Sequence, residues 1–598
     1  MRCFRFTAVL LTAIVLLSSP GESFAARTKR IKIKSVMFEG NNAFSDRRLT
    51  RVIISKPSRL FSRSYYRSEI FEDDIKALEL FYRQNGYLEA TVPSHSVQID
   101  STRYTASIEI GIEEGKLTLV EGIAVLGNIV YGDEVLRSKI ILKSGDPFQR
   151  KKIDNSTVAL LTHYANNGYL NAEIKPDIKI NTETKTALVD FYVTENKQFK
   201  IDNVSLTGLD KTRSRVVTRE LLFHRGEVIN YSRLLESQRN IYMTGLFQSV
   251  FVRPVIPAAG DSSKKDVLVE VKENMTGEFN VAVGYGSVER ARTKVEVFNN
   301  NLRGTALKLG VTGKISFVDY GLMTSFTNPW TFGLPLRTDV NLFTEFKDEP
   351  GYDLKRHGGR IVVGRKFRRN INATVTYRQE RTILSNIRVS TIPKDVKTNI
   401  RSLKLDLIRD TRDNLFNPSR GTYYEISNEM GGFVTDKIDA FFRVIGRAKF
   451  FTQIGSKTVL ASAVELGWMD AQGGIMKIPL QERFYAGGPA SLRAFEYEKV
   501  GPLDRRRVPI GGKLKFVWNP VELRQTIYNM VGGALFVDVG NVWSKPEDVE
   551  FKDLRVSLGT GLRINTPIGL ARLDYGFNPT PKKDESRGHI YFSMGHAF

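Results

Sequence analysis

Arg493 follows a Gly487-Gly488-Pro489 turn, which puts a guanidinium on the tip of a loop. A guanidinium taken out of water is costly unless a carboxylate pairs with it. Asp538 and Asp574 are the candidate partners, because each lies in a segment of alternating apolar and polar residues. The neighbours Phe536, Leu573 and Tyr575 are expected to point the other way or pack outward, leaving both carboxylates on an inner face. Arg493 should dock on one or both through a charge-assisted, bidentate contact. A second charged group, Asp410, Arg412 and Asp413, is expected to bend and end a strand through local salt links, with Gly421 giving the next turn. The six histidines show no ligand spacing, and neither a G-x-S-x-G elbow nor a phosphate loop is present. The expectation is therefore a protein that is not an enzyme and has no metal and no cofactor.

The bulk charge fits a lipid neighbour. Lys+Arg number 88 against 65 Asp+Glu, a formal charge of +23, spread along the chain without an arm or stripe. That distribution argues against nucleic acid and suits anionic lipid headgroups. Arg2 and Arg5, the apolar run Ala8 to Leu17 and the small residues around Ala25 read as a secretory signal peptide over 1–26. The single cysteine, Cys3, lies inside it, so the mature chain has no disulfide. No later stretch is apolar enough for a transmembrane helix, so entry into a bilayer requires a closed barrel.

Two textures position these residues. In the first, Tyr82-Arg-Gln-Asn-Gly86-Tyr87 recurs as Tyr164-Ala-Asn-Asn-Gly168-Tyr169 and more weakly around Gly245, where Ile241 replaces the tyrosine. A strand ending at Gly40, Gly127 or Gly208 precedes each copy, and an alternating strand follows. Each copy of about 80 residues reads strand, helix, helix, strand, strand. Ser45 is expected to cap the first helix, and Gly86 to take the C-cap position. In the second texture, beyond about Thr276, long segments alternate, as in Phe279 to Tyr285, Leu403 to Leu407 and Val556 to Ile564. An apolar outer face over a polar lumen predicts a transmembrane barrel of about 16 strands. All four tryptophans fall in this half, as an aromatic girdle would require.

The repeats resemble the POTRA module, with copies over 27–115, 116–197 and 198–274 ahead of a barrel over 275–598. The stretch Glu482 to Phe495, with Gly487, Gly488, Leu492, Arg493 and Phe495, resembles the inward-folded loop of the outer-membrane assembly-factor superfamily. That superfamily includes BamA, TamA, the mitochondrial sorting-and-assembly barrel and two-partner secretion transporters. Its usual core is Val-Arg-Gly-Phe/Tyr; here Ala494 stands in the glycine's place. Asp410 to Gly421 is similar to the mid-barrel signature and Phe536 to Gly540 to the late-strand one. Three repeats look most like the TamA arrangement.

The resemblance implies a three-POTRA α+β array and an antiparallel barrel in a bacterial outer membrane, with the N-terminal domains in the periplasm. It implies an assembly factor that receives unfolded outer-membrane or secreted clients and works with outer-membrane lipid and a periplasmic or inner-membrane partner subunit. The rivals are a two-partner secretion transporter and a passive channel. In the last segment, Ile590, Phe592, Met594 and Phe598 share one face and Tyr591 and Ser593 the other. It should close the barrel against Phe279 to Tyr285, and Phe592 and Phe598 form the terminal strand that assembly machines recognise in clients.

Overall fold

The computed structural model describes residues 30–594 except 59–63, 257–262, 368–369, 391, 393–394, 433–439, 456, 472–473 and 567–568. The signal peptide and Phe598 lie outside the described residues. The chain divides into two compact units, one holding the first two repeats and the other the third repeat with the barrel.

Each repeat is a three-stranded sheet under two helices. The first contains β1 (Lys32–Glu39), α1 (Asp46–Val52), α2 (Ser68–Gln84), β2 (Thr91–Asp100) and β3 (Thr105–Glu113). The second contains β4 (Leu119–Leu126), α3 (Asp133–Arg137), α4 (Arg150–Asn166), β5 (Glu173–Asn181) and β6 (Thr186–Thr194). The third contains β7 (Lys200–Thr207), α5 (Ser214–Thr218), α6 (Tyr231–Met243), β8 (Phe247–Val255) and β9 (Lys264–Glu273). The last strand of each sits in the middle, parallel to the first and antiparallel to the second. Leu78 and Tyr82 from α2 bury against Ile108 and Ile110 of β3, and Leu160 and Tyr164 against Val189 and Phe191 of β6. This is the 3.6-residue face of a helix laid on the two-residue face of a strand.

A glutamate at or one residue past the end of each central strand closes the module. Glu114 accepts the Tyr82 hydroxyl at 2.9 Å and the Ala43 N–H at 2.8 Å. Glu195 accepts the Tyr164 hydroxyl at 2.8 Å and the Val130 N–H at 3.0 Å. Where Ile241 removes the hydroxyl, Glu273 accepts the N–H groups of Asp210, Lys211 and Thr212 instead. The glycine ending each first strand lies under that central strand: a Cβ on Gly40 or Gly208 would fall 2.1 or 1.8 Å from a main-chain oxygen. Ser45 does occupy the N-cap of α1, but its side chain makes no cap bond; its carbonyl accepts Arg48 N–H and Leu49 N–H. Gly86 lies two residues past α2 with φ +100°, the left-handed C-cap geometry that side chains resist.

The second texture closes into a 16-stranded antiparallel barrel in simple up-and-down order. Its first half comprises β10 (Gly277–Gly286), β11 (Arg290–Leu302), β12 (Leu307–Ser316), β13 (Asp319–Asn328), β14 (Arg337–Glu349), β15 (Tyr352–Phe367), β16 (Ile371–Ser385) and β17 (Val396–Asp410). The rest comprises β18 (Gly421–Gly431), β19 (Phe441–Gln453), β20 (Thr458–Ala471), β21 (Leu514–Tyr528), β22 (Val531–Trp543), β23 (Arg555–Thr566), β24 (Gly569–Phe577) and β25 (Gly588–Met594). Leu403, Leu405 and Leu407 are about half exposed on the outside while Asp406 between them is buried inside, as the alternation requires. The tryptophans do not form a girdle of four. Trp468 and Trp518 are half exposed, but Trp543 is buried. Trp330 sits in the β13–β14 turn, donating its indole N–H to Glu220 of the third repeat at 2.7 Å.

That third repeat is fastened to the barrel's turns. Thr212 and Asn301 are both buried, and the Asn301 amide donates to the Thr212 hydroxyl at 2.8 Å. Arg213 N–H donates to the Gly304 carbonyl at 2.9 Å, and the Arg219 guanidinium lies over the Trp330 ring. The chain thus enters β10 from an anchored module.

Candidate functional site

Between β20 and β21 the chain leaves the wall and folds into the lumen. Leu492, Ala494 and Phe495 pack there with Phe484, Ala486 and Val500 of the same loop and with Phe441, Met469, Val517 and Val542 of the wall. The loop therefore has an apolar core of its own, unusual in a polar lumen. Gly487 starts its tight turn with φ +105°, and a Cβ there would meet the Glu496 carbonyl at 2.4 Å. Gly488 N–H donates to the carbonyls of Leu492 and Phe495, closing the turn on itself. Ala494 does not adopt positive φ, so this position does not need the family's glycine.

Arg493 is buried at the apex. Its Nε and Nη2 donate to Oδ2 and Oδ1 of Asp538 at 3.1 and 2.7 Å, and its main-chain N–H reaches Oδ2 at 3.0 Å. Nη1 donates to Glu522 of β21 at 2.7 Å, and Asn519 donates to Asp538 Oδ1 at 2.8 Å. Asp538 is wholly buried, so every one of these donors offsets its desolvation. Phe536 does not point away: two residues from Asp538, it shares the lumenal face and lies 3.3 Å from the guanidinium carbon, ring centroid to Cζ. Leu573 and Tyr575 do face out.

Asp574 also faces the lumen, but its hydrogen-bond partner is Arg563 of β23 at 2.5 Å rather than Arg493. The neighbouring Gly576 matters more to the loop. A Cβ on it would lie 2.4 Å from the Arg493 carbonyl and 2.5 Å from the Ala494 nitrogen, so the loop backbone rests directly on β24.

A second ionic cluster, missed in the sequence, grips the loop's base. Glu482 bridges Arg378 of β16 at 3.1 Å and Arg443 of β19 at 3.0 Å. Glu429 of β18 pairs with both arginines, and Glu380 of β16 with Arg378 at 3.1 Å. The arginines come from strands 104 and 39 residues before Glu482, a distance no local motif spans. Their only sequence signal is the lumenal parity of Arg378 and Glu380.

The mid-barrel group is local, as expected in part. Arg412 forks onto Asp410 at 2.9 and 2.7 Å. Among the described residues Asp413 makes no salt link; it accepts N–H groups of Asn414, Ser419 and Arg420 and the Ser419 hydroxyl, shaping the turn. A carboxylate outside a strand end meets more free N–H groups than cations, which explains the difference. Gly421 opens β18 at φ +105°.

The barrel closes at β25 against β10. Among the described residues the ladder holds Tyr285↔Met594 and Gly286↔Ser593. Ser287 extends it, donating its N–H to the Phe592 carbonyl at 2.8 Å and accepting the Phe592 N–H on Oγ at 2.7 Å. The Tyr285 and Phe592 rings lie 5.9 Å apart beside this join.

A family model described as the Omp85 superfamily domain matches residues 301–598. One described as POTRA, surface antigen variable number repeat, matches 31–115, 118–196 and 199–274. The chain is similar to the outer membrane protein assembly factor BamA of Nitratidesulfovibrio vulgaris, 25% identical over 95% of this chain and 74% of that one. It is also similar to BamA of Neisseria meningitidis serogroup B, 22% identical over 95% and 78%. The crystal structure of BamA from Haemophilus ducreyi lacking POTRA domains 1–3 has the same fold, with TM-score 0.66 and 20% identity, covering 80% of this chain and 99% of that one. With three repeats and the barrel matched in order, the chain belongs to the Omp85 superfamily.

Proposed function

We propose that this protein is an outer-membrane assembly factor that receives unfolded outer-membrane proteins on its periplasmic repeats and promotes their insertion, without covalent chemistry, by offering the edge of β10. The observation that carries the reading is the seam. An antiparallel edge that opens at this join is a template for an incoming strand, and main-chain hydrogen bonding tolerates many client sequences. The repeats support delivery, since each sheet also ends in edge strands, β2, β5 and β8. The third repeat is fastened where β10 begins, so a client held there is already beside the edge. The matched relatives are named assembly factors, which favours this reading over secretion of one dedicated partner.

Cysteines at Tyr285 and Met594 test it, because Cys3 is the chain's only cysteine. Oxidised protein in proteoliposomes should lose client insertion and regain it on reduction. Insertion that continues through a locked seam would refute the strand-edge route and leave local bilayer thinning. In cells, depletion should remove barrel proteins from the outer-membrane proteome. An unchanged proteome with altered small-solute uptake would refute assembly altogether.

A further inference from the structure

The inward loop and the seam meet on adjacent residues of one strand. Tyr591 of β25 points into the lumen, is buried, and donates its hydroxyl to the Phe495 carbonyl at 2.6 Å. That carbonyl also accepts Gly488 N–H at 3.1 Å, so one oxygen joins the loop's turn to the closing strand. The next residue, Phe592, faces the other way and uses its main chain to hold Ser287 beside β10. One residue further, Ser593 and Met594 form the described seam pairs. On the adjoining strand, Gly576 carries the backbone of Arg493 and Ala494, and it pairs with His589, two residues before Tyr591.

We infer that Tyr591 is a positioning residue that couples the loop to the seam: the docked loop holds β25 in the register that pairs with β10, and release of the loop frees that register. The inference rests on the proposed use of the seam, but it concerns how the seam is controlled. On the inner face of β25 the loop holds Tyr591, two residues from Ser593, which Arg572 of β24 holds at 3.1 Å, so the loop's contact lies next to the residues that pair with β10. Because the two equilibria share β25, the coupling is reciprocal: a locked seam should tighten loop docking as much as a docked loop tightens the seam.

The test is Tyr591→Phe, which keeps the ring and deletes the hydroxyl. The readout is disulfide yield between cysteines at Tyr285 and Met594 in the full-length protein, compared with a control pair at Leu562 and Leu573 in the β23–β24 ladder. Loss of one hydrogen bond should lower seam yield about two- to tenfold and leave the control unchanged. Gly576→Val, whose side chain would collide with the loop backbone at Arg493 and Ala494 while the Tyr591 hydroxyl is kept, should lower seam yield in the same way. Unchanged seam yield in both variants would overturn the coupling, as would a fall equal at both pairs, which reports general loosening. Because yield is read without a client, the proposal and the insertion reading can fail separately. A seam that opens in Tyr591→Phe with insertion unaffected would count against the use of the seam and leave the coupling standing.

Discussion

Two strand pairs of the same barrel differ sharply. β15 and β16 are zipped along fifteen positions, from Asp353↔Ser385 to Phe367↔Ile371. β10 and β25 meet, among the described residues, at two. Hydrocarbon cannot satisfy a free strand edge, so the wall is held through main-chain pairing, as β15 to β16 is along its whole length. At the β10–β25 join the inward loop adds a side-chain contact, the Tyr591 hydroxyl on the Phe495 carbonyl, and that loop has its own apolar core and two ionic anchors on other strands. The Tyr591 contact is a side-chain bond that can let go without breaking a ladder, whereas the β15–β16 join is main chain along all fifteen positions.

Removing the apex anchor should narrow that difference most. Arg493→Ala leaves Asp538, wholly buried, without its forked partner, at a cost of about 3–5 kcal/mol. Loss of client insertion in proteoliposomes and protease access to the loop are expected together, while cysteines at Val363 and Val375 in the β15–β16 ladder still cross-link. Partial recovery on exchanging the two charges between 493 and 538 would establish the pair as the cause. Full activity in Arg493→Ala would show that the anchor is dispensable. Glu482→Gln should do less, about 1–3 kcal/mol, because Glu429 and Glu380 remain to pair Arg378 and Arg443. Its effect should appear as earlier protease cleavage at the loop's base than at its apex, and uniform protection would contradict a role in holding that base.

The unequal anchors also explain what the sequence allowed. The three repeats and the barrel can be read because each depends on spacing within short segments, and the Arg493–Asp538 pair, 45 residues apart, because each member sits in a recognisable motif. Phe536 lies beside Asp538 on the lumenal face, as the two-residue period dictates, although its apolar type suggests the outer face. Trp330 and Trp543 misled in the same way, since an aromatic ring serves a domain joint or a buried strand end as readily as a lipid interface. The Glu482 cluster was beyond reach, since its partners come from three other strands and are assembled only by closure. Glu114, Glu195 and Glu273 were within reach. They recur at the repeat spacing, one or no residues past each central strand, but nothing in their type announced that they would accept N–H groups.

The smallest expected effect lies at the anchored start of β10 and probes the firm side of the comparison. Burial alone would raise the Glu273 carboxyl, but the donors from Thr212, Asp210 and Lys211 outweigh it and hold the group below its ordinary value. A depressed carboxylate contributes stability that is complete above the unfolded value and is lost as pH falls through the folded one. Amide exchange at Thr212 should therefore stay slow from neutral pH down to the usual carboxylate range and quicken only below it. Glu273→Gln, which lacks the charge, should exchange faster at neutral pH and lose the acid step. Since Thr212 also receives the Asn301 amide, loosening it should loosen the fastening of the third repeat. If acid released Thr212 while seam cross-linking between Tyr285 and Met594 stayed constant, the joint at the foot of β10 and the seam at its top would be independent controls. A parallel fall would make β10 a single lever worked from both ends.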